Sequence, residues 1–407
     1  MPPGPGWSAR YSTTSERVTA RKILVLSTLQ VFPPESGGQL RTAGLLGALA
    51  ARGYEVTVYS MVGRKADYLA RRPSGFTAIG ERLREYVDRG RFWAAIQFLA
   101  YRLNLPPLWI TAVLKWYRPS TLYRLLAECD AAIVDFPFMY PVALRSAKPV
   151  ALNTHNVEAS LCREGWIKRS IARVEREAAR SVQQVFCCSE SDRAHFATLT
   201  APARTSIVPN GIDPSRFTGI AAERAALRAS LGYRDNDRVL FFAASAYGPN
   251  VEAMAWLLEF IAGNQALLAS RNLHFLIAGS VSRQLIARPH LRTVGMVARV
   301  EPYFAAADIG FNCVFRGSGT NVKMAEFIAA GLPIVTSTAG MRGYDVVDGE
   351  DCIAFTQDTL AAALANSALQ DPARLNAMAK SAYEKNKRQI DMNWCIEPLV
   401  AWIEGVS

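Results

Sequence analysis

Histidine is scarce in this chain, with four residues in 407. None stands at metal-ligand spacing from cysteine or carboxylate, and no CxxC occurs, which speaks against a zinc site or a dithiol redox motif. The seven cysteines (Cys129, Cys162, Cys187, Cys188, Cys313, Cys352 and Cys395) are odd in number, and several lie in apolar runs. Buried free thiols in a reducing compartment fit them better than a disulfide framework. No run approaches the ~20 apolar residues of a membrane-spanning helix. Residues 1–20 are rich in Pro, Gly, Ser and Thr and lack the apolar core of a secretory signal, so they read as a flexible tail. A cytoplasmic location is expected, either free or attached peripherally to the cytoplasmic face of a membrane.

Hydrophobic residues make up 50% of the chain, and the mean hydropathy is +0.06. A large core is therefore within reach and global disorder is excluded. The length favours two or three domains. The formal net charge of +11 suggests anionic partners, whether nucleic acid, acidic lipid or phosphorylated small molecules, though it also serves solubility. No RNA- or DNA-binding motif is present, so nucleic acid is set aside.

The run "RKILVLS" (21–27) has the look of a buried parallel strand. A glycine turn, a helix with Leu45, Leu46 and Leu49 near one face, a stop at Gly53 and the strand "EVTVYS" complete a βαβ unit. "AAIVDF", "PVALNTHN", "QQVFCCS" and "TSIVPNG" continue the strand series, and Ser189 is placed to cap the helix after it. The pattern restarts with "DRVLFFAAS", a helix with Asn250 expected as its N-cap, "NLHFLIAGS", "IGFNCVF" and "PIVTST". Two doubly wound α/β domains facing a cleft are predicted, with ligand at the carboxyl ends of the strands. The boundaries predicted are a tail over 1–20, a first domain over 21–212, a second over 213–385, and a final helix over 386–407 that packs back on the first.

Chemistry concentrates after "IGFNCVF". Gly317, Ser318, Gly319, Thr320 and Asn321 turn into a helix bearing Lys323 and Glu326. Glycines admit a ligand close to the backbone, and a helix N-terminus carries about half a positive charge, so phosphate fits there. Lys323 adds a full charge. Glu326 suits hydroxyls, such as those of a ribose. Together they describe a nucleoside diphosphate; a tight strand-to-helix turn with a surface Lys–Glu pair is the plainer alternative. A dinucleotide fingerprint fails, because Val322 stands where its third glycine belongs, and no P-loop GKS or GKT follows.

The stretch "GSGTNVKMAEFIAAGLPIVTSTAGMRG" resembles the donor-binding signature of retaining GT-B glycosyltransferases of family four, in a branch with GSGT ahead of the Lys–Glu helix. "SGGQLRTAGLLGALAARGYEVTV", "NTHNVEA", "CCSESDRAHF", "VPNGID" and "ASAYGPNVEAMAWLLEF" agree in order and spacing, so the likeness covers about 21–385. The resemblance implies a donor site of Gly37, Gly38, Ser245, Tyr247, Asn250, Gly317, Ser318, Gly319, Thr320, Asn321, Lys323 and Glu326. It implies His155 and Lys323 as catalytic groups and Arg41, Asn156 and Glu158 on the acceptor side. The substrate would be a nucleotide diphosphate sugar, with no cofactor and no required metal. The acceptor would be a glycan or lipid-linked envelope precursor, glycosylated with retention. Two departures stand out. The family often carries a glutamate eight positions before Glu326, where this chain has Ser318. Its Arg and Lys after the first strand of the second domain are here Ser245 and Asn250. Lys323 then becomes the main cation for phosphate, with Arg316 or Arg283 second. A sugar-nucleotide epimerase or a non-catalytic sugar-nucleotide binder on the same architecture is the alternative.

Residues 89–118 are predicted as two helices. Phe92, Ile96, Leu99 and Leu103 share a face of the first, and Trp109, Ile110, Val113, Lys115 and Trp116 lie in or after the second. Cations and aromatics beside an apolar face suit an anionic membrane interface, and an ordinary helical pair on the sheet is the alternative.

Overall fold

The computed structural model describes residues 21–34, 36–63, 70–103, 105–283, 285, 287–316 and 320–406; the side chains of 91–94 and 101 are not described. The chain divides into two compact units. One runs up to Pro209 and resumes at Ile396; the other is Asn210–Cys395.

Apolar runs in the first unit become the strands β1 (Lys22–Ser27), β2 (Glu55–Ser60), β5 (Ala131–Asp135), β6 (Val150–Asn153), β7 (Gln184–Cys187) and β8 (Thr205–Ile207). Two more, β3 (Gly75–Ala78) and β4 (Leu83–Val87), form a hairpin at one edge. The sheet order is β3-β4-β2-β1-β5-β6-β7-β8, parallel except for that hairpin. The chain winds outward from β1 to β2, then returns to lay β5 on the other side of β1. The carboxyl ends of β1 and β5 are therefore the switch point at which such sheets bind ligands.

The second unit repeats the plan with β9 (Arg238–Ala243), β10 (Leu273–Ala278), β11 (Leu291–Gly295), β12 (Ile309–Asn312), β13 (Ile334–Ser337) and β14 (Ile353–Phe355). Its order is β11-β10-β9-β12-β13-β14, all parallel, with the switch point between β9 and β12. Phe242, Phe275, Phe311 and Phe355 fill the core on one face, and Phe241, Phe304 and Phe327 fill it on the other.

The unit boundary falls three residues before the one expected, and the return to the first unit begins at Ile396 rather than at 386. The reason is the Pro372–Ile390 helix. Its end is stitched to the second unit, with the amide of Ile212 donating to Ile390 at 2.7 Å and that of Met392 to Ile212 at 2.9 Å. Beyond it the Glu397–Gly405 helix buries Leu399 and Ile403 in the first unit. The two helices expected over 89–118 form as Arg91–Arg102 and Leu108–Leu114. Among the described residues no helix is long and apolar enough to cross a membrane.

Candidate functional site

In the second unit, Asn321 begins the Val322–Ala329 helix, its side chain accepting from the amide of Lys323 at 3.2 Å. Lys323 runs inward, its ammonium 5.3 Å above the ring of Phe242 near the end of β9. The ammonium donates to Asn250 Oδ1 at 3.3 Å and forms no ion pair with a carboxylate among the described residues. Burial pulls it below the ordinary lysine value, although Glu326 and Cys313, just past β12, act the other way. The group therefore sits at the β9/β12 switch point, poorly hydrated and without a carboxylate partner among the described residues.

One turn on, Glu326 is buried and takes Arg216 Nη1 at 3.4 Å on Oε1; Oε2 carries no hydrogen bond among the described residues. Burial raises its carboxyl above the usual range, against the pull of Arg216 and Lys323. Arg216 is itself held by Glu301 at 2.8 Å. Thr320 and Asn321, ahead of the helix, are held from two sides. Asn210 donates to the Thr320 carbonyl at 3.1 Å, and Tyr344 donates to the Asn321 carbonyl at 2.9 Å. Gly343, with φ at +88°, lies against Thr320; a Cβ there would come 2.2 Å from Thr320 Cγ2.

In the first unit, His155 follows β6, and its Nε2 meets Asp135 Oδ1, the last residue of β5, at 2.8 Å. Asp135 also accepts from Asn153 at 2.7 Å and from Thr42 at 2.9 Å. Burial would raise the carboxyl, but the charge and hydrogen bond of His155, with Asn153 and Thr42, hold it below the usual carboxylate range. A carboxylate facing Nε2 makes that nitrogen the donor, which leaves Nδ1 as the group the ring can offer elsewhere. The Phe136 ring stacks on the imidazole, centroids 4.1 Å apart and 5° from parallel. Phe136 holds that place at φ +71°, a conformation costing on the order of 1–3 kcal/mol outside glycine. Three residues past His155, the buried carboxylate of Glu175 receives the amides of Glu158 at 2.6 Å and Ala159 at 3.4 Å.

Two family models match the chain: Glycosyltransferase Family 4 over residues 36–216 and Glycosyl transferases group 1 over 237–370. The chain is a group 1 glycosyltransferase of family four. The transferase is 24% identical over 387 residues to glycogen synthase of Mycobacterium tuberculosis (strain CDC 1551 / Oshkosh), covering 85% of each chain. Among solved structures, sucrose-phosphate synthase of Thermosynechococcus elongatus matches with a TM-score of 0.69 at 15% identity, over 95% of this chain and 100% of that one. Anabaena HepE in complex with UDP-glucose matches with a TM-score of 0.67 at 15% identity, over 94% and 99%. The fold is GT-B, as the resemblance implied.

The residues marked in the sequence fall variously in the transferase. Lys323, Asn250, Asn321, Thr320 and Glu326 gather at the mouth of one helix. Gly317, Ser318 and Gly319 lie outside the described residues. Asn250 is not the N-cap: its helix starts two residues earlier, at Gly248-Pro249, because proline suits the first turn, and Tyr247 takes the cap position. Asn250 instead sits in the first turn, donating to the Ser245 carbonyl at 2.9 Å and accepting from Lys323. Tyr247 is exposed. Arg316 is ion-paired with Glu252, and Arg283 is exposed.

Gly37 and Gly38 form the first turn of the Gly37–Ala51 helix rather than a loop before it, capped by Ser36. A Cβ on Gly38 would stand 3.4 Å from His155 Nδ1, whereas Gly37 faces open space. Arg41 is an internal strut, buried and bound to Asn153 Oδ1 at 3.1 Å and to the Pro209 carbonyl at 2.8 Å. Asn156 and Glu158 are half-buried. Asp135, Glu175, Arg216, Glu301 and Asn210 were not foreseen. For Asp135 the signal was present, as a lone carboxylate ending the buried run "AAIVDF".

Proposed function

We propose that the transferase moves a sugar from a nucleoside diphosphate sugar to an acceptor hydroxyl with retention of anomeric configuration, and that the Val322–Ala329 helix mouth binds the diphosphate. One observation carries the reading: Lys323, an ammonium drawn out of water at the β9/β12 switch point with no carboxylate paired to it among the described residues. Such a charge is costly until an anion answers it. A helix N-terminus beside it adds donors for the same oxygens. Solved relatives in fold hold UDP or UDP-glucose, which agrees with a uridine nucleotide here.

In this reading Glu326 Oε2 accepts from ribose hydroxyls while Arg216 keeps Oε1. As the bond from the anomeric carbon to the diphosphate breaks, negative charge grows on the departing phosphate oxygen. Lys323 and the helix terminus stabilise it in place, with no reorganisation to make at that moment. The acceptor hydroxyl attacks the face the phosphate leaves, and its proton passes to that phosphate oxygen. Within the first unit, His155, held by Asp135 and Phe136, keeps Nδ1 as a partner for a substrate hydroxyl. The charge is met by protein groups, and the reading calls on no metal ion. Envelope or exopolysaccharide precursors remain the acceptor class that the family likeness suggests.

Calorimetry with UDP and GDP on wild type and Lys323→Met tests it. Wild type binds one of the two, and the variant binds about 10- to 100-fold more weakly, as loss of a charge-assisted contact requires. The unliganded variant should also be no less stable than wild type, because methionine removes a poorly hydrated charge. Failure of both nucleotides to bind wild type at millimolar concentration, or a variant that loses stability but not affinity, would sink the assignment.

A further inference from the structure

The Arg91–Arg102 helix turns an apolar side to solvent. Phe98, Leu99 and Leu103 are 64, 54 and 57% exposed, while Ala100, on the other side, is buried. At 100° per residue the three share one arc with the exposed Arg102, and Leu105 lies exposed just beyond. The Leu108–Leu114 helix that follows is anchored. Ile110 and Leu114 sit in the core, Trp109 packs against it, and the Thr111 hydroxyl donates to the Phe138 carbonyl at 2.8 Å. Past its ~10 Å length, Trp116 is 90% exposed, and the carbonyls of Leu114 and Lys115 just before it accept from Arg145, which follows the exposed Leu144 in the chain. Of Trp109 and Trp116, therefore, Trp116 is the one at the surface.

Charge decides what covers this face. From Arg89 to Ala127 the sequence holds no Asp or Glu, against Arg89, Arg91, Arg102, Lys115, Arg118 and Arg124. Lys115 reaches the half-buried Glu177 only at 3.8 Å, and Arg118 lies over the Tyr123 ring. A second copy using the same face would set these cations against each other. A nucleic acid would leave the Phe and Leu side chains without a counterpart. An anionic bilayer answers both: phosphates at the level of the cations and an apolar layer beneath.

We propose that residues 98–118 of the first unit dock on an anionic phospholipid surface. Phe98, Leu99, Leu103, Leu105 and Trp116 enter the boundary between headgroups and acyl chains, and Arg102, Lys115 and Arg118 meet lipid phosphates. This brings the transferase to lipid-linked substrates, and it holds whether or not the donor-site reading does.

Flotation of the full chain with vesicles tests it, comparing phosphatidylcholine alone with phosphatidylcholine mixed with phosphatidylglycerol. The protein should float with the anionic vesicles only, and less as salt rises. Phe98→Ser/Leu99→Ser/Trp116→Ser should lower the partition coefficient about tenfold or more, and Arg102→Glu/Arg118→Glu should do the same. Trp394→Ser, an exposed tryptophan of the second unit, should change nothing. Far-UV circular dichroism checks that each variant is folded. Wild type remaining at the bottom with anionic vesicles overturns the proposal, as does equal flotation of the folded variants. An oligomer that the triple variant dissolves, with no vesicle binding by either, would assign the face to a second copy and overturn it equally.

Discussion

At the scale of single residues, the molecule keeps charged groups in poorly hydrated places and answers each differently. Among the described residues, Asp135 is met by three donors, Glu326 by one arginine, and Lys323 by a neutral amide. Glu175 is met by two backbone amides, which do not fully offset its burial. Its carboxyl is raised from 4.5 to about 7, with burial the main cause and the charges of Glu158 and Asp192 adding to it. A carboxyl raised on folding contributes stability below its unfolded value, and that contribution is lost as pH rises through the folded one. Glu175→Gln removes the titration. Between pH 5 and pH 8 the variant should gain on wild type by on the order of 2–3 kcal/mol in urea denaturation. Parallel pH profiles for the two proteins would count against a raised Glu175. None of this was legible in the sequence. "WIKRSIARVEREAARS" marks position 175 as one polar residue among nine charged or hydroxylated ones, and only the fold turns it inward. Lys323 was marked by its place in the first turn after the glycine stretch and His155 by the resemblance of "NTHNVEA"; the structure sets the first against Asn250 and the second against Asp135.

At the scale of elements, strands buried on both faces were the readable ones. β1, β5, β9 and β10 are the clearest apolar runs, and β6, β12 and β13 leave shorter ones of the same kind. β4 was hidden because its inward middle position is Glu85, whose carboxylate binds the amides of Val31 and Phe32 and the Ser60 hydroxyl, so "LREYV" shows no apolar alternation at its centre. β3 faces solvent, and β14 has three residues, too few for a pattern. The seating of the Val322–Ala329 helix was equally hidden, because it depends on one glycine. Gly310 of β12 lies under the Phe327 ring, and a Cβ there would come within 2.4 Å of it. Gly310→Ala should therefore cost about 1–3 kcal/mol by overpacking and weaken nucleotide binding by tilting the helix that carries Lys323. Gly47→Ala is the control. It lies inside a helix with no atom within 4 Å of the added methyl, and should stabilise the protein by about 0.5–1 kcal/mol. Thermal melts of the two variants with opposite signs would bear out the contrast; equal destabilisation would mean that the helix–strand distance is not set by Gly310.

At the scale of the whole molecule, the chain leaves its first unit at Pro209 and comes back to it at Ile396. The return was readable from "NWCIEPLVAWIEGV", an apolar segment that needs a covering surface, but the surface was not. It is built from scattered residues: Arg21 donates to the Ile403 carbonyl, Tyr54 to Glu404, and Arg52 to Glu397 at 2.6 Å, while Phe186 meets Trp402 edge-on with centroids 6.0 Å apart. Ile396, Leu399 and Ile403 are buried beneath them. Large buried aliphatic side chains are worth about 2–5 kcal/mol each when truncated, and a domain's whole stability is about 5–15 kcal/mol. Deleting residues 396–407 should therefore bring the first unit close to unfolding while the second, whose last stitches are at Ile390 and Met392, keeps its own. Hydrogen exchange read by mass spectrometry separates the two outcomes. Amides of β1, β2 and β7 should lose protection by orders of magnitude, and those of β9, β10 and β12 should exchange as in the full chain. If protection fell equally in both sheets, the two units would share one cooperative transition, and the terminal helix would be stabilising the whole chain rather than closing the first sheet.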